Sequence, residues 1–208
     1  LDQIFKLFPT NNLSKRFKKT IISVYRKELT IAKATRNLVH QLFGDKGLII
    51  IDPDSHNLKK EFASYMEDEL INNTCKDCVN KTITNIKEVY SKKYTPQVNP
   101  REINLFYLKI NSRERIIRKD AKYVLSDKKL SQKEMLNELN KNPENFSPNV
   151  LMRPLYQEVI LPNLCYIGGP SEISYWLQLK SFFDYHGVVF PIIFPRASIL
   201  LVTPKMRR

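Results

Sequence analysis

A strand, a double glycine, a helix and a further strand stand end to end between Leu164 and Phe194, and this order constrains the fold more than anything else in the chain. Leu164-Cys165-Tyr166-Ile167 is a short apolar run that stops at Gly168-Gly169. Pro170 suits a first helical position, residues 171–185 form an amphipathic helix, and Gly187 closes it. Residues 188–194 and 198–202 supply further strand candidates. The helix carries the chain back along the sheet, so the strands on either side of it run parallel. The sequence therefore predicts an α/β fold with a Rossmann-like parallel-sheet core.

The segments upstream agree with that grammar. Between Thr20 and Phe43, apolar Tyr25, Leu29, Ala32, Val39 and Phe43 recur at helical spacing, and Gly44 is a natural stop. Leu48-Ile49-Ile50-Ile51 reads as a strand buried on both faces, with Cys165 on the later strand a small core residue. Asp52-Pro53-Asp54-Ser55 reads as a turn, followed by a helix from Asn57 to about Asn72. Residues 75–94 form a polar helix. Residues 103–108 and 115–118 are strands, paired as a hairpin across Asn111-Ser112. Ser131-Gln132-Lys133-Glu134 is a capping box that starts another helix. The implied organisation is a helix–strand–helix part of the core over 1–74, an inserted helical and hairpin connecting segment over 75–145, and a second part of the core over 146–208. Because Leu1-Asp2-Gln3-Ile4-Phe5 begins as if inside an element, the chain reads as an internal piece of a longer protein.

The net charge of +13 invites a nucleic-acid reading. Its distribution argues otherwise. From Leu151 to Pro204, Arg153, Lys180 and Arg196 balance Glu158, Glu172 and Asp184, so the excess lies in residues 1–150 and in the tail Lys205-Met206-Arg207-Arg208. No recognition motif accompanies it. An anionic small substrate or a partner domain makes better use of such a field. Three cysteines give no disulfide framework, and a reducing, cytoplasmic setting fits them. Cys75-Lys76-Asp77-Cys78 is a single CxxC without a second pair or a nearby His, which reads as incidental. His40, His56 and His186 have no metal spacing, and no triad or P-loop is present.

The wording from Phe146 onward is more specific. SPNV (147–150), RPLYQE (153–158), LPN (161–163), YIGG (166–169), Glu172 and YWLQLK (175–180) follow one another within a few dozen residues. This succession resembles the BshC family, the cysteine-adding enzymes of bacillithiol synthesis. Leu42-Phe43-Gly44 through Asp52, and Arg101 to Leu108, are similar as well. Two positions depart from the family's habit: Pro170 follows the double glycine, and Ala197 stands where an Asn is usual. The resemblance implies a much longer cytoplasmic protein with a Rossmann-like core and a C-terminal coiled coil, dimerising through the latter. It implies a ligase that condenses the carboxyl of cysteine with the amine of glucosaminyl-malate. Such a bond needs an activated carboxyl, which leaves the cofactor open between ATP and another activated donor. The alternative is a non-catalytic basic α/β module that docks on a partner protein or nucleic acid.

Candidate site residues follow from chemistry at the end of the Gly-Gly strand. Gly168 and Gly169 before a helix can present N–H groups to an anion, with Arg196 nearby in sequence to a following strand. Arg153 can grip a carboxylate with its forked donors, as the malate half of the implied substrate requires. Tyr156, Gln157 and Asn163 can orient hydroxyls and amides, with Gln157 and Asn163 equally able to tie down backbone around Pro154 and Pro162. Glu172 sits where a helix dipole favours a carboxylate. It could also hold the amine or act as its base, so Glu172 and Tyr156 are the catalytic candidates. Tyr175 and Trp176 read as core or interface, and Asp52 and Asp54 as turn and cap residues.

Overall fold

The computed structural model describes residues 2–26, 30–125, 128–203 and 206. The chain divides into two compact units, Leu1–Asp52 and Pro53–Arg208.

The first unit is helical. It contains α1 (Asp2–Phe5), α2 (Asn12–Tyr25) and α3 (Ile31–Phe43), closed by a 3-10 turn over Gly44–Lys46. The single helix expected from Thr20 to Phe43 is two helices, because Thr30 adopts an extended conformation and its hydroxyl accepts the Lys33 N–H as an N-cap. Leu29, part of the expected periodicity, lies outside the described residues. Val24 and Ala34 are buried where α2 packs on α3, and Phe8 stacks on Phe17. The strand expected at residues 48–51 does not form. Gly47 turns left-handed (φ 79°), Leu48 N–H bonds back to Phe43 O, and no described strand pairs with the run, so Leu48 and Ile49 are exposed.

The second unit carries the rest. Its helices α4 (His56–Glu61), α5 (Ala63–Asn72) and α6 (Thr74–Val89) lead into two antiparallel three-stranded sheets. The first has the order β2–β1–β6, from β1 (Leu105–Lys109), β2 (Ser112–Arg115) and β6 (Phe146–Pro148). The second runs in order through β3 (Ile117–Lys119), β4 (Lys122–Leu125) and β5 (Lys128–Leu130). The hairpin expected at Asn111 is present, with Lys109 opposite Ser112, but its second strand is 112–115, and Ile117 and Arg118, expected in it, pair instead with β4. Helix α7 (Gln132–Lys141) opens with the expected capping box: Ser131 Oγ accepts from Glu134 N–H, and the Glu134 carboxylate accepts from Ser131 N–H at 2.7 Å.

Next come α8 (Arg153–Ile160), β7 (Cys165–Gly168), α9 (Pro170–Trp176), α10 (Lys180–Tyr185) and β8 (Ile192–Pro195). Strands β7 and β8 are parallel, with Tyr166 opposite Ile193, so the βαβ unit read from the double glycine is there. Its helix is broken by a 3-10 turn at Leu177–Leu179, and Gly187 ends it with φ 63°. Residues 198–202 are not a strand, since nothing described pairs with them, and Cys165 is exposed rather than core.

One core joins these elements. Phe62, Met66 and Leu70 meet Cys75 and Val79, Leu105 and Leu125, Met135 and Leu139, Leu151 and Leu155, and Trp176, Phe182 and Phe183. Burial at about 25 cal/mol per Å2 of apolar surface makes such a cluster the main source of stability. Two buried polar groups staple loops to it. Gln178 Oε1 accepts from Gln97 and Val98 N–H, while its Nε2 donates to Val98 O. Glu69 Oε1 accepts from Asn104 N–H and Nδ2, and its Oε2 accepts from Cys75 N–H.

Candidate functional site

The site begins with Asn149, just after β6. Its Oδ1 accepts from the N–H groups of Leu151 and Met152, and its Nδ2 donates to Asn104 Oδ1 at 2.8 Å. Since Asn104 is held by buried Glu69, the start of α8 is anchored to the core. Arg153 follows as the first residue of α8, with Gln157 one turn on. Both line a cleft of about 480 Å3, whose other walls are Tyr166 of β7, Glu172, Tyr175 and Trp176 of α9, and Arg113 of β2. That volume lies in the usual range for a small-molecule site. A neighbouring pocket lined by Arg101, Ile103 and Arg115 has only about 130 Å3.

The cleft has opposite charges on its walls. Arg113 and Arg153 are cationic, and neither forms an ion pair with Glu172 among the described residues. Arg153 raises the cost of charging Arg113. Partial burial lowers the Arg113 pKa first, Arg153 lowers it further, and Asp54 works against both. At the other wall, Tyr166 stacks on Trp176 with ring centroids 4.0 Å apart. Burial pushes the Tyr175 hydroxyl up to about 12, helped by Tyr166 and Glu172, so it is a neutral donor at ordinary pH. The Trp176 ring is buried beneath that of Tyr166.

Gly168 and Gly169 form the turn beneath this wall. A Cβ on Gly168 would meet the Tyr166 ring at 2.8 Å, so the turn cannot accept a larger residue without shifting it. The Gly169 N–H is already used: it donates to Glu172 Oε2 at 2.7 Å. The protein's own carboxylate thus occupies one of the N–H groups expected to face an anion. Arg196 lies over the turn, with its N–H on Gly168 O at 2.8 Å and its Nη2 3.1 Å from where a Gly169 Cβ would stand.

Two sequence candidates stand elsewhere. Tyr156, expected to share in catalysis, is buried and does not line the cleft. Its hydroxyl donates to Pro53 O at 2.8 Å, and its ring packs on Phe62. At about 100° per residue Tyr156 stands about 60° from Arg153 and about 100° from Gln157, far enough round the helix for its ring to enter the core while theirs line the cleft. Asn163 braces the end of α8: its N–H and Nδ2 donate to the buried Glu158 carboxylate at 2.8 and 2.9 Å. Gln157 Nε2 also reaches Glu158 Oε1, at 3.0 Å.

Sequence reasoning passed over Arg113, Tyr166 and Asn149. Arg113 lies in a charged hairpin, where nothing local distinguishes it from a solvated side chain, and only the return of β6 beside β1 brings it to α8. Asp54, read as a turn residue, pairs with the buried Lys59 at 3.1 Å. Cys75 is buried and Cys78 half-buried on α6, both unpaired. Among the described residues no three His, Cys, Asp or Glu side chains gather as a metal set, and no helix is long and apolar enough to cross a membrane.

Comparison with known proteins decides the family. Residues 1–197 match the family described as bacillithiol biosynthesis BshC, N-terminal Rossmann-like domain. The chain belongs to the BshC family. It is 51% identical over 200 residues to a protein of Flavobacterium johnsoniae named "Putative cysteine ligase BshC", covering 95% of this chain and 36% of the relative. Proteins of the same name from Christiangramia forsetii and Salinibacter ruber are 43% and 30% identical, over 99% and 100% of this chain. The chain spans 39% and 38% of their lengths. The Rossmann-like α/β class read from the double glycine is therefore that of the family, and among the described residues its parallel part is the β7–β8 pair.

Proposed function

We propose that this chain supplies the acceptor-binding cleft of a cysteine ligase that joins the cysteine carboxyl to the amine of glucosaminyl-malate. The observation that carries the reading is the cleft's division into a cationic wall and a wall of one carboxylate among aromatic rings. A ligand with carboxylates at one end, a sugar ring in the middle and an amine at the other matches that order of charges. Arg153 grips a malate carboxylate, and Gln157 hydrogen-bonds a hydroxyl or carboxylate oxygen. The Tyr166 ring, backed by Trp176, offers a flat face to the sugar ring, with the Tyr175 hydroxyl as a donor.

Glu172 holds the amine. One carboxylate oxygen accepts from Gly169 N–H, and the carboxylate takes the proton that the nitrogen gives up as it attacks an activated cysteine carboxyl. The leaving group on that carboxyl comes from ATP or another activated donor.

Calorimetric titration of glucosaminyl-malate into the full chain tests the reading. Wild type should bind it, and Arg153→Ala should bind more than about tenfold more weakly, a loss of about 1.4 kcal/mol. Equal affinity of the two would remove Arg153 from the site, and no binding to wild type would sink the assignment.

A further inference from the structure

The hairpin residue Arg113 occupies a position that neither the family's name nor the reading of α8 assigns. Its side chain leaves β2 opposite Leu108 and crosses the face of the neighbouring strand β1. There the guanidinium lies over the Phe106 ring, its carbon 3.8 Å from the ring centroid. Its Nη2 then reaches β6, donating to Pro148 O at 3.2 Å and to Ser147 Oγ at 3.3 Å. Phe106 and Ser147 are themselves register partners, so the sheet sets where the guanidinium stands. These two contacts use one nitrogen. Arg113 thereby also lines the cleft that Arg153 lines from the first residue of α8, with its other guanidinium nitrogen, Nη1, and Nε outside those two contacts.

Bringing two guanidinium groups into one cleft is unfavourable without a ligand. Partial burial and then Arg153 make the charged form of Arg113 harder to hold, and Asp54 offsets part of this. No carboxylate of the described residues ion-pairs with Arg153. Stacking and anchoring remove much of the rotamer freedom that a long cation would otherwise lose on binding, which favours a specific contact over a solvated one.

We infer that Arg113 and Arg153 form a two-armed clamp selective for a dicarboxylate, with Arg113 the arm that distinguishes two carboxylates from one. The inference rests on the acceptor-binding reading of the same cleft and sharpens it. Arg153 takes the first carboxylate, and Arg113 takes the second from the side of the hairpin. A single carboxylate leaves Arg113 unused, so the Arg113 arm contributes to specificity and little to the affinity of monoanions.

The test uses three probes on the full chain: L-malate with two carboxylates, L-lactate with one, and inorganic phosphate with its charge on one centre. Wild type should prefer malate to lactate by more than about tenfold. Arg113→Gln should lose about tenfold in malate affinity with lactate affinity unchanged, collapsing that preference. Arg113→Lys keeps the charge without the fork and should recover part of it. Melting temperatures of both variants within a few degrees of wild type would show that the fold is intact.

Equal losses for malate and lactate in Arg113→Gln would overturn the clamp, leaving only a general field. Malate binding unchanged in Arg113→Gln but weakened in Arg153→Gln would overturn the role of Arg113 alone and leave the acceptor reading standing. Phosphate binding tighter than malate, and lost in Arg113→Gln, would overturn the dicarboxylate and assign the pair to a phosphate. Failure of wild type to bind either carboxylate would overturn the acceptor reading together with the clamp.

Discussion

Glu172 accepts a 2.7 Å hydrogen bond from the Gly169 N–H, so the turn between strand and helix carries its own anion. The carboxylate serves the backbone with one oxygen and faces the cleft as part of its lining. These two duties separate by substitution. Glu172→Gln keeps an acceptor for Gly169 and should cost less than about 1 kcal/mol of stability. Glu172→Ala leaves that N–H without its partner and should cost about 1–2 kcal/mol in urea unfolding. Both variants should weaken glucosaminyl-malate by about tenfold while leaving malate alone unaffected. A Glu172→Gln protein that binds the amine normally would restrict Glu172 to capping.

Tyr156 is a brace. Removing its hydroxyl deletes the bond to Pro53 O and leaves the ring packed on Phe62. Tyr156→Phe should lose about 1 kcal/mol of stability, with kcat/KM of the full chain within about twofold of wild type. A loss of a hundredfold or more in kcat, about 2.7 kcal/mol of barrier, with normal folding would return Tyr156 to the chemistry.

Asn163 is a brace of the same kind at the other end of α8. Asn163→Ala removes the Nδ2 donor from the buried Glu158 carboxylate and from Leu161 O. The expected cost is about 1–3 kcal/mol of stability, read by denaturant midpoint. The KM for glucosaminyl-malate should change by less than about twofold. A large rise in KM with unchanged stability would contradict this.

Glu69 makes stability depend on pH. Burial raises its pKa from 4.5 to about 7, against the opposing pull of the hydrogen bonds from Cys75 and Asn104. Between those values the folded state binds more protons than the unfolded one. The contribution of Glu69 is therefore full below about pH 4.5 and is lost as pH rises through about 7. Comparison with Glu69→Gln isolates the effect, because other groups, such as His186 with its burial-lowered pKa, act alike in both chains. Wild type should lose more stability than Glu69→Gln between pH 5 and pH 8. The variant itself should be destabilised by about 1–3 kcal/mol, since an amide nitrogen must then face an N–H donor. Parallel pH profiles would show that Glu69 titrates normally.

Much of the local structure was legible in the residues. The Ser131 capping box, the hairpin at Asn111, Pro170 at the start of α9 and Gly187 beyond α10 all follow from short-range chemistry, and all are present. The same reasoning failed at Leu48–Ile51 and at residues 198–202. Apolar composition there suits a strand, but a strand exists only where another supplies hydrogen bonds, and no described segment does. Helical periodicity across Thr20–Phe43 concealed the extended Thr30, because a spacing of three and four survives a break when two helices present the same kind of face.

The site divides along the same line. By itself the sequence determined the βαβ unit, the family word from Ser147 to Lys180, and the presence of Arg153, Gln157 and Glu172 near a strand's end. Those depend on neighbours within a few positions. Only the tertiary structure decided that Glu172 accepts from the Gly169 N–H, that Tyr156 and Asn163 turn to the core and to Glu158, and that Arg113 joins Arg153. The reason is distance along the chain. Arg113 reaches the cleft by lying across two strand pairings, β2 on β1 and β1 on β6, and a pairing of distant strands leaves no mark in the local order of residues.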